Sequence, residues 1–264
     1  NADGNGHGSF TYAPPSGFLA LCSQNLPDVD IIDGTEHFNT VLYTGNGSAR
    51  NITGVGFSPD WTWIKRRDGV GRNILTDSVR GGTIFNFTNE TTTEYNDASI
   101  GHGIVNGFVS DGFTLGNNAT TSFAKVNVNT DTYVAWNWLA GTAFSNDASA
   151  TSVGTIDSVG QVNTTAGFSI ITYTSPNSSD DQTVAHGLSK APELILAKMR
   201  TGTYNWDIFH GSLGVGATLI FTNAATRDVD AFTTTAPTDA VFGLKDNFTH
   251  DASLTYVAYC FHSV

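Results

Sequence analysis

Five tryptophans carry the most usable chemistry in this chain: Trp61, Trp63, Trp136, Trp138 and Trp206. An indole ring offers an apolar face that can lie against a sugar ring, and an N–H that donates a hydrogen bond. Trp61 and Trp63 are two residues apart, as are Trp136 and Trp138, so in a strand each pair lies on one face. Basic residues gather after the first pair, at Lys65, Arg66, Arg67, Arg72 and Arg80, in a chain of net charge -12. Such a patch suits an anionic glycan or a partner surface. The candidate ligand-binding residues are therefore Trp61, Trp63, Arg67, Trp136, Trp138 and Trp206. Two other readings compete. The aromatic faces can form a core and pack across strands, and the basic residues can pair locally with Asp60, Asp68 and Asp77.

Signatures of catalysis are missing from the sequence. There is no Gly-x-Ser-x-Gly elbow, His-Glu-x-x-His, Cys-x-x-Cys or Walker loop. His210 and Ser212 are neighbours on a Gly-containing turn, which is no triad geometry. His250 and His262 are the nearest thing to a histidine pair in the last segment. Asp28, Asp30, Asp33 and Gly34 miss the spacing of an EF-type calcium loop by one residue. Glycoside hydrolysis needs two carboxylates about 5–9.5 Å apart, and Glu36, Glu90, Glu94 and Glu193 lack distinctive surroundings. Glu193 aligns with Trp61 of an earlier repeat, which weakens a shared catalytic role. The expectation is a non-enzyme with no metal and no cofactor, with polysaccharide hydrolysis as the rival class.

The elements that must position the tryptophans are strands. Asp131-Thr132-Tyr133-Val134-Ala135-Trp136-Asn137-Trp138 returns at the C-terminus as Leu254-Thr255-Tyr256-Val257-Ala258-Tyr259-Cys260-Phe261. Phe38–Tyr43 returns as Phe168–Tyr173. The Gly56-Phe57-Ser58-Pro59 loop returns at His186-Gly187-Leu188-Ser189-Lys190-Ala191-Pro192. Internal copies imply two similarly folded modules, or two halves of one pseudo-symmetric body. The predicted fold is all-β: two homologous β-sandwich-like modules in tandem after a short N-terminal segment. Its boundaries are residues 1–33 for the N-terminal segment, 34–141 for module 1, 142–166 for a linker and 167–264 for module 2. The segment 142–166, rich in Ala, Ser, Thr, Val and Gly, reads as a linker with one strand at most.

Composition narrows the function classes. Charged residues are 14% and glycines number 28, which favours strands and turns over exposed helices. The acidic balance argues against nucleic acid and anionic membrane surfaces. No apolar run is long enough to span a bilayer as a helix. Cys22 and Cys260 are too few for a disulfide scaffold; each sits in an apolar stretch and reads as a small buried hydrophobe, with a Cys22–Cys260 bridge as the other possibility.

Two stretches resemble known families. Gly8-Ser9-Phe10, Tyr12-Ala13-Pro14-Pro15-Ser16-Gly17-Phe18, Leu21-Cys22 and Asn25-Leu26-Pro27 resemble the closing segment of a SPRY-like, concanavalin-like sandwich, with a strand at Phe10–Ala13. Further on come Gly56-Phe57-Ser58-Pro59-Asp60, Trp63-Ile64-Lys65, Asp77-Ser78-Val79-Arg80-Gly81, Ser110-Asp111-Gly112-Phe113-Thr114-Leu115-Gly116 and Tyr133–Trp138. Their order is similar to a repeat of unknown function in bacteriophage tail-fibre proteins. That resemblance implies a virion protein that is structural and adhesive. Its partners would be copies of itself, in a homo-oligomer such as a trimer, other virion proteins and host-surface polysaccharide. A self-assembling decoration protein is the alternative.

Overall fold

The structure is a computed structural model, and it describes residues 1–26, 31–96, 104–117, 126–176, 178–221, the main chain of 223–227, 231–245 and 253–264. Asp28, Asp30 and His250 of the weak metal-site patterns lie outside the described residues. The chain divides into two compact units, Asn1–Ile32 and Asp33–Val264.

The first unit is built around one carboxylate. Asp3 accepts the N–H groups of Asn5 and His7 at 2.9 Å, that of Ala20 at 2.7 Å and the side-chain amide of Asn25 at 2.7 Å. The Ala20 bond is the largest cause holding the Asp3 pKa below the usual carboxylate range, with the other donors adding to it against burial. The strand expected at Phe10–Ala13 does not form, because no described strand lies beside it to complete a ladder. Cys22 and Cys260 are both free thiols, and Cys22 is only half-buried.

The second unit is all-β. Its first copy comprises β1 (Phe38–Thr44), β2 (Arg50–Thr53), β3 (Trp61–Arg66), β4 (Ile74–Asp77), β5 (Ile84–Phe87), β6 (Tyr95–Asn96), β7 (Val105–Val109), β8 (Gly112–Leu115) and β9 (Thr132–Trp138). Among the described residues these form a sheet ordered β1-β9-β3-β4-β5-β6 and a smaller one ordered β2-β8-β7. The two sheets sandwich Ile52, Ile64, Ile74, Phe85, Phe87, Phe113, Leu115, Tyr133 and Ala135.

The second copy comprises β10 (Thr142–Asn146), β11 (Ser158–Asn163), β12 (Phe168–Thr174), β13 (Gln182–Ala185), β14 (Leu194–Met199), β15 (Trp206–His210), β16 (Thr218–Ile220), β17 (Asn223–Arg227), β18 (Val241–Leu244) and β19 (Thr255–Phe261). Its large sheet runs β10-β11-β12-β19-β14-β15-β16-β17, and β13 pairs with β18 as the smaller layer. Ile171, Tyr173, Val184, Ile195, Phe209, Phe242, Leu244 and Tyr256 fill the space between them.

Six strands of the two large sheets correspond in order, β1-β9-β3-β4-β5-β6 to β12-β19-β14-β15-β16-β17, and the register agrees. Phe38 faces Trp138 and Tyr43 faces Tyr133; in the second copy Phe168 faces Phe261 and Tyr173 faces Tyr256. Trp61 and Leu194 hold the same position, opposite Trp138 and Phe261. Glu193 therefore matches Asp60 rather than Trp61, a one-residue correction to the sequence alignment.

The expected linker 142–166 is not one. It supplies β10 and β11 and a short helix, Ala148–Thr151, and β11 pairs with β12 over six positions. Its small residues serve close approach between strands. A Cβ on Gly160 would sit 1.8 Å from the carbonyl oxygen of Ile170.

A third cluster lies between the copies. Trp61, Leu75, Phe168, Ile170, Leu196, Trp206, Ile208, Val257 and Tyr259 are buried together. Alternation explains it. On β9, Tyr133 and Ala135 enter the first sandwich, while Val134, Trp136 and Trp138 point the other way. On β19, Tyr256, Ala258 and Cys260 enter the second sandwich, while Val257, Tyr259 and Phe261 point away from it. The two large sheets thus pack back to back through their aromatic faces.

Candidate functional site

Register sorts the outward face of the first large sheet into rows. One row is Phe38, Trp138, Trp61 and Asp77, and the next is Thr40, Trp136, Trp63 and Leu75. A third is Leu42, Val134 and Lys65.

The first row is sealed by the second copy. Trp61 is 1% exposed. Its ring centroid lies 5.6 Å from that of Tyr259, 6.0 Å from Phe168 and 6.3 Å from Phe261. Trp138 packs on Phe168 and Phe261 as well. Trp206 is also 1% exposed, and its indole N–H donates to the Phe87 carbonyl across the seam at 3.0 Å. As candidate ligand platforms Trp61 and Trp206 are therefore corrected to core residues, and Trp138 to a residue packed against that core. The aromatic faces of the two copies cover each other.

The second row emerges from the seam. Trp136 is half-buried and is not part of the seam cluster. It leans on Trp63, with centroids 5.6 Å apart and planes at 54°. Trp63 is fixed from behind: its N–H donates to the Thr88 hydroxyl at 3.1 Å, and its ring meets Phe221, itself 36% exposed, at 5.7 Å. Leu42, 59% exposed, and the exposed Lys65 follow in the third row. Trp136, Trp63 and Phe221 thus make a shelf of aromatic surface with a cation in the adjoining row. Arg67 is exposed just beyond β3, and its main-chain N–H donates to the Thr132 carbonyl at 2.8 Å.

Local pairing accounts for most of the basic cluster. Arg66 bonds Asp68 and Asp131 at 2.7 and 2.9 Å, Arg72 bonds Glu90 at 2.6 Å, and Arg80 bonds Asp77 at 2.7 Å. Lys65 and Arg67 make no ion pair among the described residues. Asp60 departs from the expectation: it serves main-chain N–H groups of Ala140 and Gly141 and the Ser78 hydroxyl.

The seam also holds a buried polar network that sequence reasoning missed. Arg80 has a fully buried side chain and reaches Asp77, Asn86, Glu94 at 3.1 Å and the Tyr259 hydroxyl at 2.9 Å. Tyr259 in turn donates to Asp77 at 2.7 Å. Glu94 also takes both arms of Arg200 from the second copy, at 2.8 and 2.9 Å. Burial opposes charge on Arg80, but Asp77, Tyr259 and Glu94 outweigh it and hold the guanidinium firmly protonated. Burial likewise pushes the Tyr259 phenol well above its ordinary value. Lys198, buried nearby, is pushed down to about 8, first by burial and then by Arg80, against the pull of Asp207. The network joins the copies and presents no free nucleophile. Its signal in the sequence is the Asp77-Ser78-Val79-Arg80 block, but the partner hydroxyl is far away in the chain.

Other motif residues are structural. Asp111 accepts the N–H groups of Gly54 and Gly56 at 3.0 and 2.7 Å, which fixes the loop before β3. His210 Nδ1 accepts the Ser212 N–H at 3.2 Å and lies 2.7 Å from its hydroxyl, capping a turn at Gly211–Leu213. Among the described residues no group of three His, Cys, Asp or Glu side chains is placed to hold a metal ion.

No curated protein and no solved structure matches this chain. A family described as a domain of unknown function, DUF7483, matches residues 33–264. That span takes in both copies, the seam and the β10–β11 hairpin. The chain belongs to the DUF7483 family.

Proposed function

We propose that this chain is a non-enzymatic, structural and adhesive part of a phage virion, in a tail fibre or related appendage, and that its aromatic shelf contacts host-surface glycan. The observation that carries the reading is the half-buried Trp136 backed by Trp63, with Phe221 beside them and Lys65 in the next row. Indole faces of this kind bind sugar rings by stacking, and their rigid backing lowers the entropy lost on contact. Two copies locked through a buried seam suit a stiff arm in salty water, where charges are screened beyond about 8 Å. The carboxylates of Asp60, Asp77, Asp111 and Glu94 are held by main-chain N–H groups or arginines, which supports a binding rather than a hydrolytic role.

The test is a glycan array and whole-cell adsorption assay with the purified chain and with Trp136→Ala. Binding that drops at least tenfold in the variant, with the fold intact, supports the reading. New reducing ends on incubation with polysaccharide would overturn the non-enzyme part. A second reading, association of copies into a filament or coat, is favoured by β1, which no described strand covers on its outer side.

A further inference from the structure

The face that carries the shelf differs in charge from the rest of the chain. The Arg67 N–H donates to the Thr132 carbonyl, so the register in which Arg66 faces Tyr133 continues one position past β3. Thr44, Thr132 and Arg67 therefore make a fourth row, after the row of Leu42, Val134 and Lys65. From the second row to the fourth, the positions on β1, β9 and β3 include two cations and no Asp or Glu. Leu42, Thr44, Lys65 and Arg67 are all exposed. The chain as a whole has a net charge of -12.

The two cations are also uncommitted. Arg66, Arg72, Arg80, Arg200 and Lys245 each hold a carboxylate. Lys198 is buried and donates to the Met199 carbonyl, and Arg50 donates to that of Thr44. Among the described residues, the Lys and Arg side chains left without an ion pair or hydrogen bond are Lys65, Arg67 and Lys190. Lys190 belongs to the loop before β14, on the other copy. Acids close by do not compete for Lys65 and Arg67. Arg66 holds both Asp68 and Asp131, and Asp68 also accepts the Thr132 N–H at 2.8 Å.

We infer that the glycan this face takes is an acidic polysaccharide with carboxylates on its sugar rings. One ring stacks on Trp136 and Trp63, and the carboxylates of the following rings lie on Lys65 and Arg67. This rests on the glycan-binding reading above and names its substrate class. Two residues of strand advance about 7 Å, so the cations follow the Trp63 indole along β3 at one step and two. The planar fork of Arg67 takes a carboxylate through two parallel bonds, and Lys65 acts as a point charge. Two cations suit a polymer with about one charge per ring. Nucleic acid also stacks on aromatic rings, but its denser charge meets the same two cations and more repulsion from the acidic remainder of the chain.

The test is an array of uronate-bearing oligosaccharides, each beside its carboxyl-reduced counterpart, with oligo(dT) as the nucleic-acid probe, read at about 20 mM and about 300 mM salt. The full chain is compared with the double variant Lys65→Gln, Arg67→Gln, with Trp136→Ala, and with Lys190→Gln as a control on the remaining free cation. The wild type should prefer uronates over their reduced forms by about tenfold, and less at the higher salt. The double variant should bind both forms alike, Lys190→Gln should match the wild type, and Trp136→Ala should lose both forms. Equal binding of the two forms by the wild type overturns the acidic substrate class and leaves the shelf reading standing. A preference that survives the double variant overturns it too, as does tighter binding of oligo(dT) than of any uronate. Binding of no glycan at all sinks both readings.

Discussion

Replacing Tyr259 by Phe removes one oxygen from the centre of the seam. That hydroxyl donates to Asp77 at 2.7 Å and accepts from Arg80 at 2.9 Å, both with fully buried side chains. A hydrogen bond to a charged group contributes about 1.5–3 kcal/mol. Two are lost, but Arg80 keeps its direct bonds to Asp77 and Glu94, and Asp77 keeps the Arg80 N–H. The expected destabilisation is therefore about 2–4 kcal/mol rather than the full sum. Tyr173→Phe is the matched comparison. Its ring is buried and stacked on Tyr256, and its hydroxyl has no hydrogen-bond partner among the described residues. Removing that oxygen should change stability by less than about 1 kcal/mol, in either direction. The assay is urea unfolding followed by tryptophan fluorescence. With a slope on the order of 3 kcal/mol per molar, the Tyr259 variant loses roughly 1 M in midpoint and the Tyr173 variant almost none. Equal midpoints for the two variants refute the claim that the seam is held by this network.

Two further outcomes follow from the same geometry. Lys198 titrates at about 8 in the fold against 10.5 when free, so its charge is disfavoured in the native state. Below pH 8 both states hold the proton and the whole penalty, about 3 kcal/mol, is present. Between pH 8 and 10.5 the unfolded chain holds more protons than the native one, so this contribution to stability rises with pH. Lys198→Met should therefore be stabilising at pH 7 and lose most of that advantage by pH 10.5; an advantage that does not shrink with pH would count against the buried charge. Trp61→Ala should cost about 3–5 kcal/mol, as expected for a large core side chain, and Trp136→Ala less than about half of that. Thermal unfolding of both variants checks the division between core and shelf.

Much of the architecture could be read from the chain because period-two patterns survive duplication. Thr-Tyr-Val-Ala followed by aromatics tells that Trp136 and Trp138 share a face, and the repeat tells that Tyr259 and Phe261 share one too. Nothing local tells that the two faces meet. That depends on which large surfaces remain after each sandwich has filled its own interior. The strands within 142–166 are hidden in the sequence for a similar reason. Its Gly, Ser and Ala look like a linker by composition, yet Gly160 is small because Ile170 passes so close. The shelf was half legible. Spacing points to Trp63 and Trp136, but Trp61 and Trp206 have the same residue type and opposite fates. Only the offset of the second sheet over the first decides which indoles are sealed. The setting of Arg80 is not legible locally because its near neighbours Asp77, Asn86 and Glu94 are completed by Tyr259, 179 residues away.

The back-to-back arrangement makes this chain its own dimer. In a symmetric pair, each surface must complement itself, so any change appears on both sides at once. Here the halves are covalently joined and free to differ: Trp61 sits where its twin has Leu194, and Asp77 where its twin has His210. A charged lock can then be assembled with its acid and arginine on one side and its phenol on the other. Splitting the gene product at Gly141 would leave Trp61, Leu75 and Trp138 of the front half facing water, a surface that clumps or captures a replacement.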